Sequence, residues 1–559
     1  MITNKKTMQG YENTKIVRYD NPESLDNKVL FKDLPNREVK GVLKINRYVD
    51  GELTQVYSSS DNHVGVIAAT RLGKTTSYVV PTVLSFAMQK TKKSMIISDP
   101  KGEVYRYTAE TLRRQGYKVK LLNFRNYSNS ECWNPITPIF RKYRSAAEIY
   151  DEVGLVKTER GYRNVFRGTI YDDQKELNDA VELAQKMTFD EVGDDIDKIA
   201  ALFMPSESQK EPYWEDAARE LLKAFLWAML EDSDKKENPI TEDTFSFSTI
   251  ISLQLNIHAG RGIDFNDGGY FTKRDHSTRS YKLIKDNLLV NGDVTRACIL
   301  STFNTKMAIF RECAMRLITS CNSFGMDVLT DGPTAVFIDY RDELNVHYKL
   351  ISLFVQDATR YLVDVAENDP SGKLKTPVYV ILDEFGNLPK VNKFDATVSS
   401  CGGRNLYFIL ILQSYAQLKN VYGDYAGDII KDNLNIHVFM GSNNPDTLEA
   451  FSRECGKLTR ISPVSAFNGD KEEIEQFQIE TIPAVPQSVL AHLDPGECVV
   501  TEANCGYVLF SKLERFYLID EMNDLPLSSV KDYKGGVNPF DKKYAYIPDV
   551  KPKKSSFDF

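Results

Sequence analysis

Residues 64–76 have the composition of a phosphate-binding loop. Their sequence is VGVIAATRLGKTT, in which an apolar run leads into Gly73-Lys74-Thr75 and then into a helical pattern. Such a loop needs backbone N–H groups and a helix N-terminus that face an anion, a lysine that reaches the β- and γ-phosphates, and a hydroxyl for Mg²⁺. The residues expected to contact the nucleotide are Ala69, Thr70, Arg71, Leu72, Gly73, Lys74, Thr75 and Thr76.

A second motif supports this interpretation. Ala68 replaces the first glycine of the usual GxxxxGK[ST] pattern, and a Gly-Lys-Thr turn alone could merely begin a helix. However, the apolar run 378–382 ends in Asp383-Glu384, the paired carboxylates that the acidic half of a nucleotide-hydrolysing site requires. We expect Asp383 and Thr75 to hold Mg²⁺, Asp383 through the water shell of the ion. Glu384 would polarise the water that attacks the γ-phosphate.

Two further residues are candidate catalytic groups. Gln413 follows the apolar segment 406–412, where an amide could sense the γ-phosphate, although a simple polar residue at a strand end is an equal explanation. Arg404 precedes the same segment and could reach the nucleotide of a neighbouring subunit as an arginine finger. An arginine that only faces solvent is the commoner outcome at such a position. The six histidines lack metal-ligand spacing, so we assign no protein metal site.

The segments that must position these residues alternate between apolar runs and helical patterns. The apolar runs are 64–68, 94–98, 118–123, 334–340, 377–384, 406–414 and 436–442. Helical patterns cover about 74–90 and 104–115. Continuous apolar strands that alternate with helices are typical of a parallel sheet covered on both faces. Before them, Asp50-Gly51 lies between two strand-like segments and predicts a tight hairpin turn.

A long helical stretch separates the early strands from the late ones. Within it, residues 211–230 place Trp214, Ala218, Leu221, Phe225 and Met229 on one apolar face, which is typical of core packing. The sequence therefore predicts one α/β domain interrupted by a helical insertion. We divide the chain into an extended or loosely packed N-terminal arm (1–38), a discontinuous α/β domain (39–145 and 327–530), the insertion (146–326) and a mobile C-terminal tail (531–559).

Composition and charge exclude several classes of protein. The chain has 559 residues, 42% hydrophobic and 26% charged, which excludes collagen-like, coiled-coil-only and intrinsically disordered proteins. Its net charge of −8 argues against a surface that coats nucleic acid, but it allows a local basic channel. No apolar run reaches the ~18 residues that cross a bilayer, and the eight cysteines form no CxxC pair. We therefore expect a cytoplasmic protein.

Together these segments resemble the type IV secretion coupling proteins, the TraG/TraD family of conjugative DNA-transfer ATPases. The resemblance covers most of residues 60–515. It rests on the loop region 63–81, SDPKGE (98–103), WNP (133–135), YWEDAA (213–218), LDEF (382–385), GR (403–404), LQS (412–414) and GKLT (456–459). It implies an α/β, RecA-like P-loop NTPase domain with a parallel-rich sheet, interrupted by an all-helical insertion domain. It also implies a ring, typically of six subunits, around a central channel.

The resemblance also implies a function. ATP with Mg²⁺ would be the cofactor, and hydrolysis would drive DNA, expected to be single-stranded, with its bound relaxase towards a type IV secretion channel. Partners would be the ATPases of that channel. Relatives usually begin with transmembrane helices, so we expect a separate membrane-anchoring partner to hold this chain at the cytoplasmic face. Asp99 would lie at the rim of the nucleotide pocket, although helix capping is an adequate alternative.

Two other functions stay open at this point. A nucleotide-regulated docking platform would recruit relaxase through the insertion and hydrolyse ATP slowly or not at all. Ala68 and Leu72 motivate this alternative, because the loop of the family commonly has a glycine and a small residue there. A related motor could instead move double-stranded DNA. A preference for single- or double-stranded substrate would separate it from the first function.

Overall fold

The computed structural model describes residues 15–18, 28–49, 51–58, 60–158, 161–205, 212–258, 270–341, 345–391, 393–467, 473–503, 505 and 507–535. Their strands are β1 (Lys15–Arg18), β2 (Lys28–Leu30), β3 (Leu43–Val49), β4 (Glu52–Tyr57), β5 (Val64–Ala68), β6 (Ser94–Asp99), β7 (Lys118–Asn123), β8 (Gly154–Thr158), β9 (Gly161–Phe166), β10 (Thr169–Tyr171), β11 (Thr334–Asp339), β12 (Val378–Leu382), β13 (Leu406–Leu412), β14 (Ile436–Gly441), β15 (Lys457–Phe467), β16 (Glu473–Pro483), β17 (Glu497–Glu502) and β18 (Tyr507–Lys512). Their helices are α1 (Val80–Met88), α2 (Glu103–Arg114), α3 (Thr137–Glu148), α4 (Gln174–Phe203), α5 (Pro212–Ser233), α6 (Phe247–His258), α7 (Arg279–Ile284), α8 (Asp293–Lys306), α9 (Cys313–Ile318), α10 (Asn345–Asn368), α11 (Phe394–Cys401), α12 (Tyr415–Tyr422), α13 (Asp424–Asp432), α14 (Pro445–Glu454), α15 (Gln487–Leu490) and α16 (Asp520–Asn523).

The chain divides into two units. Of the described residues, the α/β unit combines those up to Arg125 with those from Met326 to Tyr533, and the helical unit combines those from Asn126 to Gly325 with Lys534 and Gly535. The helical unit therefore interrupts the α/β unit in the sequence. The sequence predicts the first boundary at residue 145, but it follows Arg125, because α3 packs against α4 of the helical unit.

A ten-stranded sheet forms the centre of the described α/β unit. Its order is β1-β18-β17-β14-β5-β13-β12-β6-β11-β7, and the strands from β14 to β7 run parallel. Every residue of β5, β6, β11, β12, β13 and β14 is buried, which confirms the prediction of parallel strands covered on both faces. Parallel strands end at one edge of the sheet, so the residues that follow β5 and β12 meet there.

The N-terminal part of the α/β unit contains a smaller antiparallel sheet, in the order β2-β4-β3. The predicted hairpin is confirmed, because Val49 pairs with Glu52 and Gly51 has a φ of 80°. Asp50 itself lies outside the described residues. The prediction of a loosely packed arm over 1–38 is wrong for its described part, because Phe31 and Leu34 are buried in the core and β1 joins the large sheet. Of the predicted tail, residues 536–559 lie outside the described residues.

The helical unit contains α3 to α9. Four members of the predicted apolar face of α5 are buried: Ala218, Leu221, Phe225 and Met229. Trp214, the fifth member, is partly buried. The unit is mostly helical, but β8, β9 and β10 form an antiparallel sheet within it, which corrects the prediction of an all-helical insertion. These strands are short and mostly exposed or partly buried, so they have no continuous apolar run that would reveal them.

The WNP motif has a structural role at the start of α3. The side-chain amide of Asn134 donates a 2.7 Å hydrogen bond to the Phe245 carbonyl, and its backbone N–H donates to Asn322 Oδ1 at 2.9 Å. The backbone N–H of Trp133 donates to the Ile318 carbonyl at 2.8 Å. The motif therefore joins α3 to distant segments of the helical unit.

Candidate nucleotide-binding site

The phosphate loop connects β5 to α1 at the carboxyl edge of the sheet. β5 lies between β13 and β14, and its last residue, Ala68, is fully buried. The chain turns through residues 69–73, winds as a π-type turn over Lys74–Val79 and continues as α1. Arg71 and Gly73 have φ values of 68° and 84°, and these left-handed residues reverse the chain. The predicted sequence of strand, loop and helix is confirmed.

Loop residues differ in their access to solvent. Thr70 and Arg71 are exposed. The partly buried loop residues are Ala69, Leu72, Gly73, Lys74, Thr75 and Thr76. The Thr76 hydroxyl donates to the Gly73 carbonyl at 3.2 Å, and the Ser77 N–H donates to the same carbonyl at 2.7 Å. These bonds fix the start of the helix behind Lys74.

A glycine on the neighbouring strand makes room for Leu72. A Cβ at Gly441 would lie 2.8 Å from Leu72 Cδ1, which is too close for two carbon atoms. Gly441 has a φ of 134° at the end of β14, and its carbonyl accepts a 2.9 Å hydrogen bond from the Ala69 N–H. The leucine at position 72 therefore fits because residue 441 is a glycine and has no side chain.

The two carboxylates that follow β12 lie beside the loop. The Lys74 ammonium lies 3.5 Å from Asp383 Oδ1 and 3.5 Å from Glu384 Oε1. The Thr75 hydroxyl donates a 3.0 Å hydrogen bond to Asp383 Oδ2. The structure thus brings together four of the predicted site residues from sequence positions about 300 residues apart.

The electrostatics of the site depend on Lys74. Asp383 is only 3% exposed, and burial raises the pKa of its carboxyl, while the Lys74 charge and the Thr75 hydrogen bond act in the opposite direction. One ammonium therefore faces two carboxylates in a largely water-excluded pocket. Removal of Lys74 would leave these negative charges without their counter-ion, which is costly in such surroundings.

The donor set at this edge fits Mg²⁺ and a polyphosphate. Asp383 Oδ1 is buried and accepts no hydrogen bond from the described residues. This leaves a carboxylate oxygen for the metal or its water shell, next to the Thr75 hydroxyl. Mg²⁺ prefers oxygen ligands and usually keeps several waters when only one or two protein groups hold it. The residues present therefore suit the predicted cofactor.

Gln413 lies at the same edge of the sheet, but its hydrogen bonds go to other residues than Lys74, Thr75, Asp383 and Glu384. Its N–H donates to Gln417 Oε1 at 2.8 Å, and its carbonyl accepts from the Ser442 hydroxyl at 3.2 Å. Within the described residues, no hydrogen bond links Gln413 to Lys74 or Glu384. The phosphate-sensing role of Gln413 stays a prediction.

Arg404 precedes β13 and therefore lies at the amino edge of the sheet, opposite the phosphate loop. Its guanidinium pairs with Glu367 Oε1 at 2.7 Å and donates to the Ser400 carbonyl at 2.8 Å. Within one chain, Arg404 is thus not part of the site. Its suggested role towards the nucleotide of a neighbouring subunit stays a prediction.

A second pair of carboxylates ends the neighbouring strands. Asp99 and Asp339 are paired in register at the ends of β6 and β11, and both are buried. Asp99 accepts a 2.8 Å hydrogen bond from the Tyr105 N–H in the first turn of α2, which fits the helix-capping explanation. Burial raises the pKa of Asp99 to about 7, with the charge of Asp339 acting in the same direction. Burial also raises the pKa of Asp339 to about 6, against the lowering effect of Arg125.

Sequence reasoning missed two residues that hold this segment, one at the Glu384 carboxylate and one at the Asp383 backbone. The Asn387 amide donates a 3.1 Å hydrogen bond to Glu384 Oε2, and the Ser98 hydroxyl donates to the Asp383 carbonyl at 3.2 Å. Glu384 has a φ of 58°, which is unusual for a residue with a side chain. Asn387 follows Glu384 by only three residues and could have been found from that spacing. Ser98 begins the SDPKGE motif, but its contact with Asp383 depends on β6 lying next to β12 and could not be read from that motif.

No helix in the described part of the chain has both the length and the apolar content that crossing a bilayer requires. A family model for type IV secretory system conjugative DNA transfer matches residues 20–473. One similar curated protein is the conjugal transfer protein TraG of Escherichia coli, 24% identical, with 80% of this chain and 63% of TraG covered. Another is the protein VirD4 of Rhizobium radiobacter, 22% identical, with 71% and 48% covered. The chain thus spans about half to two thirds of the length of these relatives.

The fold is similar to that of the plasmid coupling protein TrwB, whose structure was solved in complex with the non-hydrolysable ATP analogue ADPNP. The TM-score is 0.52 at 15% identity, with 92% of this chain and 96% of the TrwB chain covered. At this identity the likeness concerns the fold, and it confirms the predicted α/β, RecA-like domain with a helical insertion. Because the family model matches most of the sequence, the chain belongs to the family of type IV secretory system conjugative DNA-transfer proteins.

Proposed function

We propose that this chain is an ATP-driven DNA translocase, a coupling protein that binds a DNA–relaxase substrate and delivers it to a type IV secretion channel. One observation carries the proposal: Lys74 lies 3.5 Å from both Asp383 and Glu384 at the carboxyl edge of a parallel sheet. This arrangement combines a phosphate-binding cation, a metal-binding carboxylate and a second carboxylate for water activation.

The loop residues bind and orient the nucleotide. Backbone N–H groups of the loop after Ala69 and the N-terminus of the following helix would face the phosphates, and the Lys74 ammonium would contact the β- and γ-phosphates. Thr75 Oγ1 and Asp383 hold Mg²⁺, which when bound neutralises charge on the phosphate oxygens. Lys74 can leave its present partners for the phosphates because each of its two carboxylate contacts is as long as 3.5 Å.

Glu384 is the general base. Its side chain is 17% exposed, so water can reach it, whereas Asp383 beside it is almost fully buried. Asn387 holds Oε2 at 3.1 Å and so fixes the orientation of the carboxylate. The remaining oxygen can accept a proton from the water that attacks the γ-phosphate.

Ring assembly supplies the residues that one chain lacks at its own site. We assign Arg404 to the nucleotide of the adjacent subunit, where a guanidinium stabilises charge in the transition state. The Glu367 that now pairs with Arg404 is 55% exposed, and an ion pair of this kind is weak enough to exchange partners. Gln413, at the carboxyl edge, senses the γ-phosphate. The ring is a hexamer when active, and the isolated chain is a monomer.

The same proposal covers the partners. DNA, taken to be single-stranded, passes with its relaxase through the channel of the ring. Its binding is sensitive to salt because basic residues release counterions from the phosphates, and the net charge of −8 confines these contacts to the channel. The channel ATPases and a membrane-anchoring protein place the ring at the cytoplasmic face of the membrane. The space that Gly441 leaves for Leu72 gives a structural reason why this loop substitution need not impair hydrolysis, and so it does not favour the docking-platform alternative.

Steady-state ATP hydrolysis by the purified chain, with and without single- or double-stranded DNA, tests the proposal. We expect single-stranded DNA to stimulate turnover and Lys74→Ala to abolish it, with a loss of at least about 1000-fold. Lys90→Ala is the matched control, because Lys90 is exposed and its contact with Glu38 is long, at 4.0 Å. Turnover that DNA does not change would contradict translocation, and stimulation by double-stranded DNA alone would favour the related motor.

A mixing experiment tests the arginine finger. Arg404→Ala and Lys74→Ala subunits should each be inactive, but an equal mixture should recover about a quarter of wild-type turnover. One neighbouring pair in about four would then combine an intact loop with an intact Arg404. If the mixture stays inactive while wild-type and Lys74→Ala subunits do assemble together, Arg404 does not act across subunits.

A further inference from the structure

The segment after β18 is anchored beside the phosphate loop. Leu513 forms a parallel bridge with Asn46 of β3, and the Glu514 N–H donates to the Asn46 carbonyl at 2.9 Å. Phe516 is buried, with its ring 4.5 Å from that of Tyr107 on α2. Residues 513–516 are therefore held on both sides by the core of the α/β unit.

This anchored segment places Arg515 next to the loop. A Cβ at Gly73 would lie 3.6 Å from Arg515 Nε, and Gly73 immediately precedes Lys74. The turn Phe516–Leu518 also packs against the helical turn Lys74–Val79. The guanidinium thus lies on the Gly73 side of the loop, in the same chain, although it is 442 residues away in sequence (515 − 73).

The hydrogen bonds of Arg515 leave most of its donors available. Nη1 donates to the Tyr517 hydroxyl at 2.7 Å. Among the described residues, no carboxylate lies within ion-pair distance of Arg515, and neither Nε nor Nη2 has an acceptor. Arg404, by contrast, pairs with Glu367 at 2.7 Å. An unpaired guanidinium at the loop gives the site a positive charge in addition to Lys74.

We propose that Arg515 binds an oxygen of the nucleotide's polyphosphate and raises the affinity of the site for nucleoside di- and triphosphates. A guanidinium forms strong charge-assisted hydrogen bonds with phosphate oxygens. Among the described residues, Arg515 would not have to break an ion pair with a carboxylate in order to form them. Tyr517 positions the group through its hydroxyl. This inference rests on the proposed nucleotide site, and it differs from the role of Glu384 because Arg515 acts on binding rather than on water activation.

Isothermal titration of the full chain with MgADP tests the inference. We expect Arg515→Ala to weaken binding about tenfold and Arg515→Lys, which keeps the charge but loses the fork of donors, about threefold. Lys512→Ala is the matched control, because Lys512 is also a cation near the end of β18 but pairs with Glu514 at 3.4 Å. Its affinity should stay within about twofold of wild type.

Lys74→Ala separates failure of this inference from failure of the proposed site. If Lys74→Ala loses binding while Arg515→Ala and Arg515→Lys both bind MgADP like wild type, Arg515 does not contact the nucleotide. If Lys74→Ala also binds normally, the loop is not the nucleotide site and both proposals fall. If Arg515→Ala strongly lowers the melting temperature of the protein, its affinity is not informative. The MgADP affinity of Arg515→Lys then decides whether Arg515 contacts the nucleotide. Weakening in both Arg515 variants but not in Lys512→Ala would support the inference.

Discussion

Two pairs of strand-end carboxylates in one sheet differ in the cation that accompanies them. Asp383 and Glu384 follow β12 directly and share the Lys74 ammonium at 3.5 Å. Asp99 and Asp339 end β6 and β11, and here Arg125 pairs with Asp339 alone, at 3.2 Å. The first pair lies beside a loop that faces solvent, whereas both members of the second pair are buried.

We infer that a place at the carboxyl edge of the sheet is not by itself sufficient for chemistry. Arg125 also donates from Nη2 to the Pro100 and Tyr340 carbonyls, so Nε and Nη2 of its guanidinium are both used in local structure. Lys74 has only two long contacts and stays available for a ligand. We infer that Asp383 and Glu384 can release Lys74 to a ligand, whereas Asp99 and Asp339 hold the ends of β6 and β11 in place.

The largest expected difference between the pairs is in the Mg²⁺ requirement. Asp383→Asn should lower ATP turnover about 100-fold and raise the Mg²⁺ concentration needed, because a metal-binding oxygen and its charge are lost. Asp339→Asn is the matched variant and should change turnover less than about threefold, because Asp339 pairs with Arg125 and not with Lys74. Steady-state ATPase assays over a Mg²⁺ series would show this. Equal losses in the two variants would mean that both pairs belong to one metal site.

The second pair should appear in the pH dependence of stability. Because the pKa of Asp99 is raised to about 7, the folded protein keeps a proton that the unfolded chain releases above about pH 4. This group therefore makes the free energy of unfolding fall as the pH rises from about 4 to 7. Asp99→Asn should remove that fall, of which about 3 kcal/mol lies between pH 5 and pH 7.

Urea denaturation at pH 5 and pH 8 would measure the change. Asn keeps an oxygen that can accept the Tyr105 hydrogen bond, so the variant removes the titration without removing the acceptor. Asp331→Asn is a suitable control, because Asp331 is exposed and lies in the same unit. An identical pH slope in wild type and Asp99→Asn would contradict a raised pKa at Asp99.

The smallest expected effect concerns the orientation of Glu384. Asn387→Ala should lower turnover about fivefold, corresponding to about 1 kcal/mol for a single hydrogen bond, without changing nucleotide affinity. The reason is that Asn387 fixes only Oε2 of the proposed base. Steady-state kinetics would separate the two parameters, and Asn368→Ala at the exposed end of α10 is the control. A change in affinity alone would assign Asn387 to binding instead.

Much of the α/β unit could be predicted from local sequence. The apolar runs of β5, β6, β11, β12, β13 and β14 are continuous because each strand is buried on both faces, so they are visible without knowledge of their neighbours. Lys74, Thr75, Asp383 and Glu384 could be predicted for a related reason. Each directly follows such a strand or its loop, and parallel strands bring these positions to one edge.

The remaining features depend on contacts between distant segments. Packing sets both the fit of Leu72 against Gly441 and the approach of Arg515 to Gly73. No local sequence pattern predicts either contact. The strands β8 to β10 are too short and too exposed to show an apolar run. β1 pairs at the far edge of the large sheet with β18, nearly 500 residues later, which no local propensity encodes.

The central claim is that Lys74 binds the nucleotide and Glu384 activates the attacking water. The most direct test is to measure ATP affinity and single-turnover hydrolysis for Glu384→Gln, with Glu449→Gln as a control at an exposed glutamate of α14. We predict that Glu384→Gln binds ATP within about threefold of wild type but hydrolyses it at least about 100-fold more slowly. Hydrolysis within about tenfold of wild type would contradict the assignment of Glu384 as the base.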